Sequence, residues 1–104
     1  MRVISQDGTI DVPYEISSLS MAVGKYEDVE HAAIYRHNSS TAMGIKMAEY
    51  SSKEKAKKAM EELRYAYMCH SLAKMGKTPP DGIDEKLTMG LIGVFQFPTE
   101  EELE

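Results

Sequence analysis

The chain has one cysteine, no tryptophan, two phenylalanines and three arginines, and each scarcity excludes something. Cys69 alone cannot form an internal disulfide, which fits a reducing compartment such as the cytoplasm. No apolar run approaches the roughly 20 residues that span a bilayer. The opening MRVISQDG lacks the basic start and apolar stretch of a secretory signal, so no membrane association is expected. Positive charge is also short: 12 Lys and Arg face 17 Asp and Glu, a net charge of −5. A duplex-binding surface needs a dense positive field, so duplex nucleic acid is not an expected partner.

Recognisable chemistry is missing as well. The sequence contains no P-loop, no GxGxxG and no GxSxG. Cys69 and His70 are neighbours on a predicted helix, where adjacent side chains diverge by about 100°, so they cannot act as a nucleophile and its base. Cys69 reads instead as a small apolar residue at an interface. His31 and His37 would share a strand face, but no cysteine pair or acidic cluster joins them to make a metal site. A protein that binds rather than catalyses is expected, without cofactor or metal.

The 104 residues are 42% apolar and 28% charged, the balance of one globular domain. The patterning predicts an α+β fold: an antiparallel sheet opened by an N-terminal hairpin, one long helix after the third or fourth strand, and a C-terminal strand. The hairpin is read from extended runs at residues 3–6 and 9–12 around Asp7-Gly8, a pair suited to a two-residue type I′ turn. Pro13 should end the second strand or leave it on an edge. Leu19, Met21 and Val23 alternate with small residues, and another strand is read over 29–37 before the turn-rich Asn38-Ser39-Ser40. Over 41–50, Met43, Ile45, Met47 and Glu49 share one parity. That spacing argues for a strand, with a short helix as the alternative. Ser51 and Glu54 have capping-box spacing, and Ala56, Met60, Leu63 and Tyr67 then form one stripe, with Gly76 placed to end the helix. Residues 66–75 are apolar over more than one stripe, which predicts cover from another subunit. One helical turn is read over 83–89 and the last strand over 91–97. Residues 1–98 form the domain, and 99–104 form an acidic tail expected to be solvated and loosely held.

In an acidic protein each arginine is a scarce means of gripping phosphate. Arg36 is the leading candidate, because Tyr35-Arg36-His37-Asn38 sets a guanidinium beside a ring, an imidazole and an amide; a solvated strand end is the plainer alternative. Arg2 and Arg64 are further phosphate candidates, although Arg64 could instead answer Glu61 or Glu62 at the surface. Phe95 and Phe97 should share one strand face with Gln96 on the other. They fill the core, or one of them stacks on a purine.

Three segments together resemble a known layout: RVISQDGTIDVPYE at 2–15, AEYSSKEKAKKAMEELR at 48–64 and VFQFPTEEE at 94–102. The chain resembles small phage and prophage proteins of Gram-positive bacteria, and among them the Thoeris anti-defence family of sponge proteins. That resemblance implies a sheet with long helices and assembly as a dimer or hexamer. It also implies sequestration, without cleavage, of a cyclic nucleotide immune signal in the host bacterial cytoplasm. The signal would be a cyclic ADP-ribose isomer or, as in CBASS-type signalling, a cyclic oligonucleotide. No ligand contact is carried over from the family. The candidate ligand residues Arg36, His37, Asn38, Arg2, Arg64, Phe95 and Phe97 rest on their own chemistry. The alternative is an acidic phage inhibitor or adaptor that blocks a bacterial protein.

Overall fold

Val3 and Val12 face each other in a hairpin between β1 (Arg2–Ile4) and β2 (Asp11–Pro13), with Arg2 against Pro13 and Ile4 against Asp11. The structure, a computed structural model, describes residues 1–37, 44–74 and 93–103. The tight type I′ turn expected at Asp7-Gly8 does not form, and of the two residues only Gly8 has a positive φ, 78°. The strands close on Ser5 instead, whose N–H donates to the Ile10 carbonyl at 2.8 Å while its hydroxyl accepts the Ile10 N–H at 3.0 Å. The cause is the Asp7 carboxylate. It accepts the Ser5 hydroxyl at 2.7 Å, the Thr9 hydroxyl at 2.7 Å and the Thr9 N–H at 3.0 Å, a local network that competes with the tighter turn. Pro13 ends β2 at the edge of its sheet, as its missing donor requires.

The C-terminal strand β6 (Val94–Gln96) lies on the other side of β1 and runs parallel to it, with Val3 against Phe95. Alternation places Phe95 and Phe97 inside, edge to face with centroids 5.5 Å apart, and leaves Gln96 exposed.

The second sheet is antiparallel, in the order β3 (Ser18–Tyr26), β4 (Val29–His37), β5 (Ile45–Tyr50). Its β3–β4 turn carries the geometry expected of the first hairpin: Glu27 and Asp28 both have positive φ, 51° and 64°. Residues 45–50 are strand, but their parity breaks. Ile34 opposes Ala48 while Tyr35 opposes Lys46, so Met47 is an extra residue in a bulge. Met47 and Ala48 are both buried and Glu49 is exposed, so Met47 and Glu49 do not share a face. The bulge also joins the two sheets. The Gln6 N–H donates to the Met47 carbonyl at 2.8 Å, and Gln6 Oε1 accepts the Glu49 N–H at 3.1 Å.

The helix α1 (Lys53–Lys74) follows the fifth strand. Its cap is Ser52, whose hydroxyl accepts the Lys55 N–H at 3.2 Å. The Ser51–Glu54 box does not close, because Glu100 takes the Ser51 N–H at 2.6 Å and Glu30 takes the Lys53 N–H at 2.8 Å. Ala56, Ala59, Leu63 and Ala66 point into one buried cluster with Val3, Val12, Phe95 and Phe97 of the first sheet and Ala32, Ile34, Met47, Ala48 and Tyr50 of the second. The small residues of the stripe let the helix approach the sheets closely, while the larger Met60 and Tyr67 are left at its border, half-buried.

Residues 99–103 are docked rather than loose. Leu103 ends a short 3₁₀ turn (Glu101–Leu103), is buried within the same cluster, and its carbonyl accepts Lys58 Nζ at 2.9 Å. The expected turn at 38–40, the expected strand start at 41–43, the stop at Gly76 and the turn read over 83–89 lie outside the described residues. Among the described residues no helix is long and apolar enough to cross a membrane.

Candidate ligand-binding cleft

Between the first turns after β2 and the middle of α1 lies a cleft of about 420 Å³. Tyr14, Glu15, Ser17 and Leu19 line one wall, and Met60, Leu63, Arg64 and Tyr67 line the other. Helical spacing brings the latter group to one face, since 60, 63, 64 and 67 follow the i, i+3, i+4, i+7 rule. Tyr14 and Tyr67 meet with ring centroids 4.5 Å apart, inclined by 45°. A second depression of about 250 Å³ continues the cleft along Leu19, Ser20 and Met21, with Lys57, Met60, Glu61 and Arg64 above. Together they form a groove between β3 and α1, apolar at its floor and charged at its rim.

Arg64 is the sequence candidate that lines this groove. Arg36 lies close behind: it is 9% exposed, and its Nε donates to the Ser17 hydroxyl at 3.0 Å. Ser17 in turn donates to the Pro13 carbonyl, so the buried guanidinium is tied to the wall that carries Tyr14. Arg36 therefore positions the cleft rather than waiting at a solvated strand end.

The remaining candidates do not converge there. Strand alternation puts His37 on the opposite face from Arg36, where its Nε2 lies 2.7 Å from the Ser20 hydroxyl. The Tyr35-Arg36-His37 cluster is thus divided between two faces, and Asn38 lies outside the described residues. Arg2 is spent on Asp11 at 2.8 Å, at the edge of the first sheet. Phe95 and Phe97 are 2% and 1% exposed, so neither can present a face to a purine. Cys69 is fully buried within its own chain, where burial raises its thiol pKa; it is not an interface residue. The apolar excess of the second half of α1 is largely absorbed internally. Ala66 and Cys69 are buried, Tyr67 packs on Tyr14, and Met68 alone among its large apolar residues is prominently exposed.

The outer face of the second sheet holds a more open depression of about 280 Å³, floored by Ala22, Gly24 and Ala33. At its rim Lys46 Nζ bonds Glu49 at 3.0 Å, a contact that raises the lysine pKa, and His31 Nδ1 lies 3.5 Å from the same carboxylate. Lys46 thus answers a carboxylate already in place, so the depression offers an incoming anion little. His31 and His37 do share this face, but six residues separate them by roughly 20 Å along the strand. Among the described residues no three His, Cys, Asp or Glu side chains converge on a metal-sized site.

No protein-family model, no curated protein and no solved structure matches the chain.

Two cleft residues escaped the sequence reading. Tyr14 follows the Pro13 that ends the second strand and carries no signal of its own, and Tyr67 reads only as part of the helix stripe. Their meeting depends on the path of the chain between β2 and β3, which no local pattern encodes. A Cβ at Gly44 would lie 2.7 Å from His37 Cε1 and 3.0 Å from Tyr35 Cβ, so a larger residue there would have to displace the His37 ring.

Proposed function

We propose that this is a non-catalytic phage anti-defence protein that captures a cyclic nucleotide immune signal in the host bacterial cytoplasm. Its ligand is a cyclic ADP-ribose isomer or a cyclic oligonucleotide, held in the groove between β3 and α1. The observation that carries this reading is the meeting of Tyr14, Tyr67 and Arg64 in one cleft, with Arg36 anchored behind its wall. Aromatic rings offer a base a stacking surface worth about 1–3 kcal/mol per base in nucleic-acid systems. A guanidinium at the rim is the group best shaped to fork onto a phosphate. Capture needs affinity and no turnover, so the groove requires no nucleophile or general base.

The alternative, an acidic inhibitor or adaptor that blocks a bacterial protein, rests on the glutamate-rich tail and on Glu27-Asp28. In the tail, Glu100 accepts the Ser51 N–H and Glu102 accepts the Thr99 hydroxyl and N–H, so those two carboxylates are engaged with their own chain.

The test is to purify the protein from cells in which the signal is being made, denature it by heat and analyse what is released. An intact cyclic nucleotide in stoichiometric amount is expected. Recovery of a linearised product, or of a co-purifying bacterial protein with no nucleotide, would contradict the proposal.

A further inference from the structure

Gly24 is a glycine that the fold does not require. It lies within β3, which pairs residue for residue with β4, and its φ is not positive. A Cβ there would meet nothing within 4 Å. Glycine weakens the interior of a strand, and where no bulge or bend calls for it, it marks a place where a ligand or another backbone comes close. Its cross-strand neighbour His31 does not shield it, because that ring leans towards β5, with Nδ1 3.5 Å from Glu49. Gly24 therefore opens the floor of the 280 Å³ depression on the outer face of the second sheet, and the paired Ala22 and Ala33 continue that floor.

The wall beside this floor comes from β4 and β5, where Glu49 opposes Ala33 and Lys46 opposes Tyr35. Lys46 Nζ and Glu49 Oε2 are 3.0 Å apart, so their charges cancel locally. An anion would meet the carboxylate and a cation the ammonium. Hydrogen-bonding capacity is left over, with protons to spare on the ammonium and lone pairs to spare on the carboxylate. Two adjacent hydroxyls of an uncharged ligand can use both, one donating to Glu49 and the other accepting from Lys46, without parting the pair. The methyl and methylene floor and the Tyr35 ring then suit the C–H face of the same molecule. Hydroxyls along one edge and C–H groups below describe a sugar ring. The same face runs on from the Tyr35 row to Tyr26, which is 72% exposed, six residues or roughly 20 Å along β3. That length suits several sugar units rather than one.

We propose that the outer face of the second sheet binds a neutral oligosaccharide. It lies along β3 over Ala22 and Gly24, with its hydroxyls on Lys46 and Glu49 and one ring against Tyr35. Glycine at 24 lets a sugar ring rest on the backbone, where a side chain would lift it away. Strand alternation turns this face away from the helix, so the site is separate from the groove between β3 and α1 and does not depend on the capture reading. A phosphorylated ligand belongs to the wrong charge class for it, because Glu49 stands on the rim.

Nuclear magnetic resonance titration of the isotope-labelled full chain tests this, with maltotetraose, cellotetraose and fully acetylated chitotetraose as uncharged probes and tetragalacturonate as the anionic one. Saturable shifts of the Ala22, Gly24, Ala33 and Glu49 amides are expected with at least one uncharged probe at millimolar concentration, while the amides of Met60 to Tyr67 on the helix stay still. Gly24→Val fills the floor with a side chain that has room there and suits a strand, so it should keep the thermal midpoint at or above that of the parent. The same variant should weaken binding at least about tenfold, and Lys46→Met, which leaves Glu49 without its partner, should weaken it by a similar factor. Four results would each overturn the proposal: no saturable shift with any uncharged probe, shifts on the helix instead of the sheet, unchanged affinity in Gly24→Val, or tighter binding of tetragalacturonate. Should Gly24→Val fail to fold, Lys46→Met decides, and unchanged affinity there overturns the site.

Discussion

The Asp7 carboxylate holds the first hairpin loop together, and the pH dependence of that loop follows from it. Hydrogen bonds from the Ser5 hydroxyl, the Thr9 hydroxyl and the Thr9 N–H lower its pKa from 3.8 to about 2. A depressed carboxyl contributes stability in full above its unfolded value and loses it as pH falls through the folded one. Acid should therefore weaken the fold progressively between about pH 4 and pH 2. Glu100, lowered by its hydrogen bonds from Ser51, adds to the same limb. Asp7→Asn should flatten part of that limb, as read by urea midpoints across the acid range; an unchanged slope would remove Asp7 from the account. Tyr50 titrates in the opposite sense. Burial, then the nearby Glu62, Glu102 and Glu100, push its phenol above the usual range, so the hydroxyl remains a donor to the Pro98 carbonyl at 2.8 Å.

At the scale of elements, the two hairpins exchange roles. Asp7-Gly8 has the preferred sequence for a two-residue turn and makes a wider loop, while Glu27-Asp28 makes the tight turn with both residues left-handed. That conformation costs a non-glycine residue about 1–2 kcal/mol, less for aspartate. Replacing Glu27-Asp28 by Asn-Gly should stabilise the fold by about 1 kcal/mol, seen as a higher urea midpoint with an unchanged slope. The elements themselves were largely legible: alternation marked β3, β4 and the Phe95-Gln96-Phe97 strand, and four-and-three spacing marked α1. What misled was local chemistry answered from far away. Glu30 and Glu100 reach the start of the helix from distant parts of the chain, so the cap moved from Ser51 to Ser52. The bulge at Met47 reset the parity of β5 for the same kind of reason, a bond to Gln6 across the sheets. For the site, Arg64 could be read as a candidate, but the strand-end cluster around Arg36 could not survive alternation, and the Tyr14–Tyr67 meeting is purely tertiary.

At the scale of the whole molecule, two sheets and a helix share one core, and the seam between the sheets depends on few bonds. Gln6 supplies two of them, to Met47 and Glu49, and its amide also donates at 3.2 Å to the Pro98 carbonyl just past β6 of its own sheet. Gln6→Ala keeps the backbone bond and strands the others, so it should cost about 1–3 kcal/mol in chemical denaturation, more than an ordinary surface substitution. None of the residues lining the cleft takes part in these bonds, so loss of binding can be separated from loss of fold. Calorimetric titration of the full chain with cyclic ADP-ribose isomers and cyclic di- and trinucleotides puts the capture claim to its most direct test. Saturable binding of one member of the panel is predicted, weakened about ten- to hundredfold by Arg64→Ala with no change in thermal stability. Absence of heat across the panel, or binding that Arg64→Ala leaves untouched, would contradict it.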